Sequence, residues 1–431
     1  MRVGGRIAAA IEVLAAIETQ HRPASDALSD WGRSHRFAGS GDRSAIGSLV
    51  YDALRRRSSL AAQMGIATPR ALALAAAMRA YDMTADAVAA VADGSEHAPE
   101  PLTDDEKSRL AAGVPAGTDP VIAADIPAWL APSLLRAFGE RLVEEAEALA
   151  RRAPVDVRVN TLKADREKVL KALARYAAEP MALSPLGVRI APPAGAARAP
   201  HVEGETAHGK GWYEVQDEGS QIAAAIAGAG PRMQVLDLCA GAGGKTLAMA
   251  AAMQNTGQIY AYDADRRQLR PIFERLKRAG ARNVQVLDGG DAVALEALGA
   301  RFDVVLIDAP CTGSGTWRRR PDSKWRLRPD ALAERQRQQD AVLEQGARLV
   351  KPGGRIVYVT CSLLPEENGD RVAAVLAKHP ELSVEPFAEV WRRQIGGDPP
   401  VSADGGSGGL LLTPARHGTD GFFIASLRRA A

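Results

Sequence analysis

The amino-acid sequence predicts an α/β protein, with a doubly wound parallel sheet over residues 212–431 preceded by a helical domain and a small α+β module. Three observations predict this. Short runs of β-branched and aliphatic residues (Gln234–Leu238, Gln258–Asp263, Val284–Leu287, Phe302–Asp308, Arg355–Cys361) alternate with helical segments, the repeat that builds parallel sheets. A glycine-rich turn leads from the first of these runs into a helix. Ahead of them, Ile7, Ile11, Leu14 and Ile17, then Ile46, Leu49, Val50 and Leu54, then Leu72, Leu74 and Met78 recur at helical spacing.

Taken in order, residues 1–92 form the helical domain, on which Arg33, Arg36, Arg43 and Arg55-Arg56-Arg57 place positive charge. On composition a solvated helix face accounts for that charge better than an RNA contact does. Residues 93–126, rich in Gly, Pro, Asp, Thr and Glu, read as a linker with one short helix at Thr103–Ala112. In residues 127–211, one or two helices in Pro127–Arg151 precede a strand at Pro154–Asn160, an amphipathic helix at Asp165–Tyr176 and a strand at Gly187–Ala191. Such a module suits RNA binding or a spacer equally. In residues 212–431 helices are expected at Thr246–Met253, up to Ala279, and at Ala331–Val350. Leu410–Leu412 and Phe422–Leu427 add late, partly antiparallel strands after a Gly/Pro/Ser-rich loop at Gly396–Gly409.

A chain of 431 residues has ample length for several cores. Its 54 Lys and Arg against 52 Asp and Glu leave it nearly neutral, so any affinity for nucleic acid must come from a local patch. Three cysteines, Cys239, Cys311 and Cys361, are too few for a disulfide framework or a zinc site, and a reducing cytoplasm fits. No run approaches the ~18 apolar residues of a membrane span, and no apolar leader follows Met1. A soluble cytoplasmic monomer without metal is the expectation.

The turn Asp237-Leu-Cys-Ala-Gly-Ala-Gly-Gly-Lys-Thr246 misses both the P-loop and the dinucleotide fingerprint by one residue, Cys239 and Thr246 standing where glycines are needed. Its physics remains: small residues admit a ligand to the backbone, and the helix start offers N–H donors to an anionic group. Asp263, at the end of the next strand, is placed to accept both hydroxyls of a ribose. Together they describe a nucleoside carrying a carboxylate, which suits S-adenosylmethionine. Cys239, Ala240, Gly241, Ala242, Gly243, Gly244, Lys245, Asp263, Asp291 and Asp308 are the cofactor-site candidates, with Asp291 set to meet an adenine amino group or else to cap a helix. Lys245 reads equally as satisfying carbonyls at its helix start, and Cys239 is expected to act through its backbone. Cys311 and Cys361 both stand at strand ends, where the ligand crevice of a parallel sheet lies, and either could be a nucleophile. Trp317-Arg-Arg-Arg-Pro-Asp-Ser-Lys-Trp-Arg-Leu-Arg328 interleaves six basic residues with two tryptophans and reads as phosphate contacts with stacking platforms for RNA.

Leu238–Thr246, Asp308-Ala-Pro-Cys-Thr-Gly-Ser-Gly315, Arg319–Trp325 and Val357-Tyr-Val-Thr-Cys-Ser-Leu-Leu-Pro-Glu-Glu-Asn368 closely resemble the Sun/RsmB/Nop family of RNA cytosine-5 methyltransferases. Asp42–Arg55 resembles the NusB-like domain that bacterial members carry. One departure is Gly241-Ala242, where members usually have Ala-Pro. The resemblance implies a Rossmann-like class I methyltransferase domain. It implies S-adenosyl-L-methionine as cofactor, RNA as partner and methyl transfer to cytosine carbon 5. It makes Cys361 the nucleophile, Cys311 the thiol that assists carbon-5 deprotonation or product release, and Asp308 the group facing the cytosine ring nitrogen and amino group. Pro365, Glu366 and Glu367 mark a helix start whose N-terminus favours the Cys361 thiolate, while the glutamates partly oppose it. The target cytosine has to be single-stranded or flipped out. The NusB-like start leans toward small-subunit rRNA, with tRNA open. A DNA cytosine methyltransferase, with Cys311 as nucleophile, and a non-catalytic RNA-binding assembly factor are the alternatives; the Thr360-Cys361-Ser362 motif opposes the first, and the full set Cys361, Cys311, Asp308 and Asp263 opposes the second.

Overall fold

The computed structural model describes residues 1–193, 195, 197–406 and 408–431. Ala194 and Ala196, in the stretch read as the α+β module, and Ser407, in the expected Gly396–Gly409 loop, lie outside the described residues. The chain divides into two compact units: Met1–Ala153 with Pro192–Ala199 and Thr316–Leu327, and Pro154–Ala191 with Pro200–Gly315 and Arg328–Ala431.

The first unit is helical. Helices Val3–Gln20, Ser40–Arg55 and Arg57–Met64 pack on Pro69–Ala80, which begins on a Thr68 side-chain cap with Pro69 in its first turn, and Ala24–Ser34 packs on the first two. That helix buries Ala71, Ala73, Ala75, Ala76 and Ala77 as well as Leu72 and Leu74. Alanines on all sides let its neighbours approach closely, and a helix apolar all round is a central one. The 93–126 stretch carries more structure than a linker. Helix Asp104–Ala112 opens on a reciprocal Thr103/Glu106 capping box, and Leu102 and Leu110 join the helical core. Helices Ala131–Phe138 and Leu142–Leu149 cluster with this unit, because they pack on one another and on the helix Pro120–Ala123.

The second unit holds two sheets. In the smaller, β1 (Val155–Val159), β2 (Glu179–Pro180), β3 (Gly187–Ile190) and β4 (Tyr213–Val215) are all antiparallel in the order β2-β3-β1-β4. Its core contains Val157, Val159, Val169, Leu173, Val188, Ile190 and Tyr213. The larger sheet contains β5 (Gln234–Asp237), β6 (Gln258–Ala261), β7 (Val284–Val286), β8 (Phe302–Asp308), β9 (Val350–Thr360), β10 (Leu382–Glu385), β11 (Leu410–Leu412) and β12 (Phe422–Arg429). Its order is β10-β12-β9-β8-β5-β6-β7, with β11 also paired to β12. β5 to β9 are parallel, and β10, β11 and β12 join antiparallel. Val304–Ile307 and Ile356–Thr360 are fully buried, as strands covered on both faces must be. The strand order reverses between β5 and β8, the switch point at which an open α/β sheet leaves a crevice.

The helix Arg266–Leu269 stops before Pro271 and resumes as Ile272–Ala279, since proline cannot donate to the preceding turn. β2, β4 and β10 are absent from the sequence reading; each is two to four residues long and carries a glutamate, so none stands out as an apolar run.

Candidate functional site

The site forms where β5, β6, β8 and β9 end. β8 ends at Asp308 and β9 at Thr360, and their parallel register pairs Asp308 with Val359, so the residues just beyond both strands emerge side by side. Cys311 Sγ and Cys361 Sγ lie 3.3 Å apart, within hydrogen-bonding distance for sulfur. The hydrogen bond to Cys361, then burial and the nearby Glu367, push the Cys311 pKa well above the usual thiol value. Either thiol can donate in this contact.

A buried carboxyl ties the two cysteine loops together. Glu367 is fully buried; its Oε1 accepts from the Thr312 amide (2.9 Å) and the Gln339 side chain (3.0 Å), and its Oε2 accepts from the hydroxyls of Thr312 and Ser362. Thr312 and Ser362 directly follow the two cysteines. The Ser314 hydroxyl reaches Ser362 (3.1 Å) and accepts from the Leu363 amide (2.8 Å), and the Gly315 amide donates to the Cys361 carbonyl (3.0 Å). Burial raises the Glu367 pKa. The expected helix start is here a short 3-10 turn at Pro365–Glu367, with the helix proper beginning at Gly369. Glu367 points inward, where it bonds both cysteine loops and its charge raises the Cys311 pKa, and Pro-Glu-Glu-Asn carries no signal that distinguishes this placement from a helix start.

Lys245 does not satisfy carbonyls at its helix start. Its Nζ lies 2.5 Å from Asp308 Oδ2 and 5.4 Å from the Phe422 ring centroid, and the side chain is only 7% exposed. Asp308 is about a third exposed (36%), so its outer face remains open to a ligand.

In the glycine turn, Gly241 adopts a left-handed φ of 50° and a Cβ built there would meet nothing within 4 Å, so the backbone faces open space. Gly243, at φ 83°, would drive a Cβ to 2.5 Å from Ile272. Asp263 Oδ2 accepts from the Gly241 amide (3.0 Å) and Oδ1 from the Asp265 amide (2.9 Å), which fixes its carboxylate at the mouth of the turn. Two guanidinium groups brace the turn from outside: Arg275 donates to the Ala242 carbonyl (2.9 Å) and Arg158, from β1, to the Gly244 carbonyl (2.8 Å). The small sheet thus takes part in building the turn, a role its own sequence did not signal.

Asp237 was not singled out in the sequence. Its Oδ2 accepts from the Thr246 hydroxyl (2.6 Å), while its buried Oδ1 has no partner. Burial is the largest cause pushing its pKa up to about 7. Burial and the carboxylates of Asp263, Asp237 and Asp308 raise the Cys239 thiol, which stays protonated. An open glycine backbone, a fixed carboxylate at the second strand end and an unsatisfied buried oxygen beneath the turn fit a nucleoside that carries an amino acid. Asp291 is exposed and caps the helix Ala292–Glu296 through Oδ1 (2.9 Å from the Ala294 amide), leaving its other oxygen outward.

The Trp317–Arg328 run corrects the sequence reading. Thr316–Leu327 belongs to the helical unit, where Trp317 is 1% exposed and Lys324 is 4% exposed. Lys324 Nζ donates to the Arg55 carbonyl (3.0 Å), Trp325 Nε1 to the Leu54 carbonyl (2.6 Å), and Arg55 to the Arg318 carbonyl (2.9 Å). Trp317 is enclosed in protein and unavailable as a stacking platform, Trp325 is partly buried against the helical core, and Arg326 and Arg328 are paired with Asp322 and Asp330. Among the described residues no cluster of His, Cys, Asp and Glu could hold a metal ion, and no helix is long and apolar enough to cross a membrane.

Residues 229–428 match the family described as 16S rRNA methyltransferase RsmB/F, and residues 126–196 match an RsmF/B-like ferredoxin-like domain. The chain is 34% identical over 312 residues to the "Probable ribosomal RNA small subunit methyltransferase B" of Synechocystis sp., covering 70% of this chain and 67% of that protein. It is 32% identical over 306 residues to the ribosomal RNA small subunit methyltransferase B of Sodalis glossinidius, covering 70% and 65%. It spans about two thirds of the length of these relatives. A crystal structure of a methyltransferase homolog protein from Pyrococcus horikoshii superimposes with a TM-score of 0.59 at 29% identity, covering 73% of this chain and 99% of that one. With a Rossmann-like parallel sheet, a glycine turn at its switch point and these relatives, the chain belongs to the RsmB/F family of 16S rRNA methyltransferases.

Proposed function

We propose that the protein methylates carbon 5 of a cytosine in small-subunit rRNA, working in the cytoplasm through a covalent adduct to Cys361. The observation that carries this reading is the pair of thiols 3.3 Å apart beside the Lys245–Asp308 ion pair. Cytosine carbon 5 becomes nucleophilic only after something adds to carbon 6, and a thiolate both adds and leaves readily. Cys361 forms the sulfur–carbon 6 bond as a thiolate, with Cys311 Sγ 3.3 Å away. Asp308 holds the positive charge that develops at the ring nitrogen and amino group, and Lys245 holds the Asp308 side chain in position. S-adenosyl-L-methionine, held by the turn from Cys239 to Lys245, by Asp263 and by Asp291, supplies the methyl group. Cys311 then assists loss of the carbon-5 proton, and the bond from Cys361 to carbon 6 breaks to release the product.

The test uses purified protein, small-subunit rRNA and radiolabelled cofactor. Cys361→Ala should abolish methyl transfer, whereas Cys311→Ala should accumulate a protein–RNA complex that survives denaturing electrophoresis. Wild-type turnover by Cys361→Ala would overturn the assignment, and loss of activity without a trapped complex in Cys311→Ala would move the nucleophile to Cys311. Bisulfite sequencing of rRNA and tRNA from a deletion strain identifies the RNA and the cytosine.

A further inference from the structure

Within Arg55-Arg56-Arg57 of the helical unit the outer two arginines are committed. Arg55 pairs with Asp52 (2.6 Å) and donates to the Arg318 carbonyl, and Arg57 pairs with Glu18 (2.6 Å). Arg56, at the break between helices Ser40–Arg55 and Arg57–Met64, has no hydrogen bond or ion pair from its side chain among the described residues. It lines a cavity of about 230 Å³ together with Arg79, from the last turn of Pro69–Ala80, and Arg152. Arg79 is equally unpartnered, and Arg152 is turned to the Ala197 carbonyl (3.0 Å). The floor is Leu60, Ala76 and Ala80, each at most 3% exposed, with apolar side chains.

The carboxylates facing this cavity are engaged elsewhere or lie outside its wall. Asp52 is paired to Arg55, and the Asp125 oxygens accept from the Ser59 amide (2.8 Å) and hydroxyl (2.7 Å). Glu147 acts on Arg56 only as a distant charge, weaker than the repulsion from Arg79. A half-buried guanidinium beside a second one, its burial only partly offset by the charges of Asp125, Glu147 and Asp52, is stabilised by an anion that neutralises it. Helix-end placement accounts for Arg79 alone but not for the convergence of two free guanidinium groups on one cavity.

We propose that this cavity binds a phosphate group through Arg56 and Arg79, supplied either by the RNA backbone or by free phosphate. The guanidinium fork suits phosphate oxygens, and the volume admits one such group with its water. The RNA source rests on the RNA methyltransferase reading, whereas the anion site itself does not.

The test uses the full chain. Binding of transcribed small-subunit rRNA is measured against potassium chloride concentration, and the thermal midpoint is measured against inorganic phosphate. With RNA as the source, Arg56→Gln/Arg79→Gln should weaken binding at least about tenfold and flatten the salt slope by about 1 to 2, while Arg56→Lys/Arg79→Lys keeps most of the slope. With free phosphate as the source, RNA binding should be unchanged, and phosphate should raise the midpoint of the unaltered chain but not of the glutamine variant. If the glutamine pair folds poorly, the phosphate response of the unaltered chain and the lysine pair's RNA slope carry the test. An unaltered chain without any phosphate response, together with RNA slopes equal in all variants, overturns the site. A chain that responds to phosphate yet binds no RNA refutes the methyltransferase's substrate and leaves the anion site standing.

Discussion

Replacing Glu367 separates the geometry of the thiol loops from the chemistry of the thiols. In Glu367→Ala the Thr312 amide loses its acceptor outright, while Gln339 keeps the Pro310 carbonyl at 2.9 Å and the hydroxyls of Thr312 and Ser362 can turn toward each other or toward Ser314. One stranded buried donor costs about 1–3 kcal/mol, and the cavity left by the side chain adds about as much, giving about 3–5 kcal/mol. In Glu367→Gln the amide oxygen still accepts from Thr312 and Gln339, and the new NH2 donates to hydroxyl oxygens free to rotate. Its cost should be about 0.5–1.5 kcal/mol. At about 2–4 °C per kcal/mol for a unit of this size, the alanine variant should melt about 6–20 °C lower and the glutamine variant only a few degrees lower. Thermal denaturation followed by circular dichroism reads both. Equal destabilisation by the two variants, or less than about 1 kcal/mol for alanine, would refute the argument that Glu367 is the shared acceptor of both loops.

Trp325→Ala should cost the helical unit about 2–3 kcal/mol by urea unfolding, since it deletes the bond to Leu54 and apolar contact with the helical core, yet leave RNA affinity within about twofold; a large affinity loss in a stably folded variant would restore the stacking role. Asp237, with its carboxyl pushed up to about 7, retains a proton in the folded state that the unfolded chain has lost above its ordinary value of 3.8. Stability from this group is therefore present at low pH, falls by up to about 4 kcal/mol between about pH 4 and 7, and is level above. Asp237→Asn should remove that fall from urea midpoints taken at pH 5 and pH 8, and an unchanged profile would contradict it. Lys245→Met should lower kcat about 100-fold or more by removing the partner of Asp308, with rRNA binding little changed; a kcat within threefold of wild type would remove Lys245 from the machinery.

Much of the larger sheet was legible because Phe302–Asp308 and Arg355–Cys361 are apolar runs bounded by turn residues, a pattern set by local chemistry. The glycine turn was legible for the same reason: glycine adopts the left-handed φ of 50° and 83° at Gly241 and Gly243 without steric cost. The basic run was misread because arginines interleaved with tryptophans have the same composition whether the rings dock on RNA or on a neighbouring helix, and here Trp317 and Trp325 dock on protein.

By itself, then, the sequence determined that two thiols and a carboxylate stand at strand ends, since strand periodicity and turn chemistry act over a few residues. Only the tertiary structure decided that β8 and β9 are neighbours, which brings Cys311 and Cys361, fifty residues apart in the chain, to 3.3 Å. The same holds for the turning of Glu367 inward, the pairing of Lys245 with Asp308, and the stranding of Arg56 between two satisfied arginines. Each depends on which partner a polar side chain finds when packing excludes water, and that choice is made across the fold.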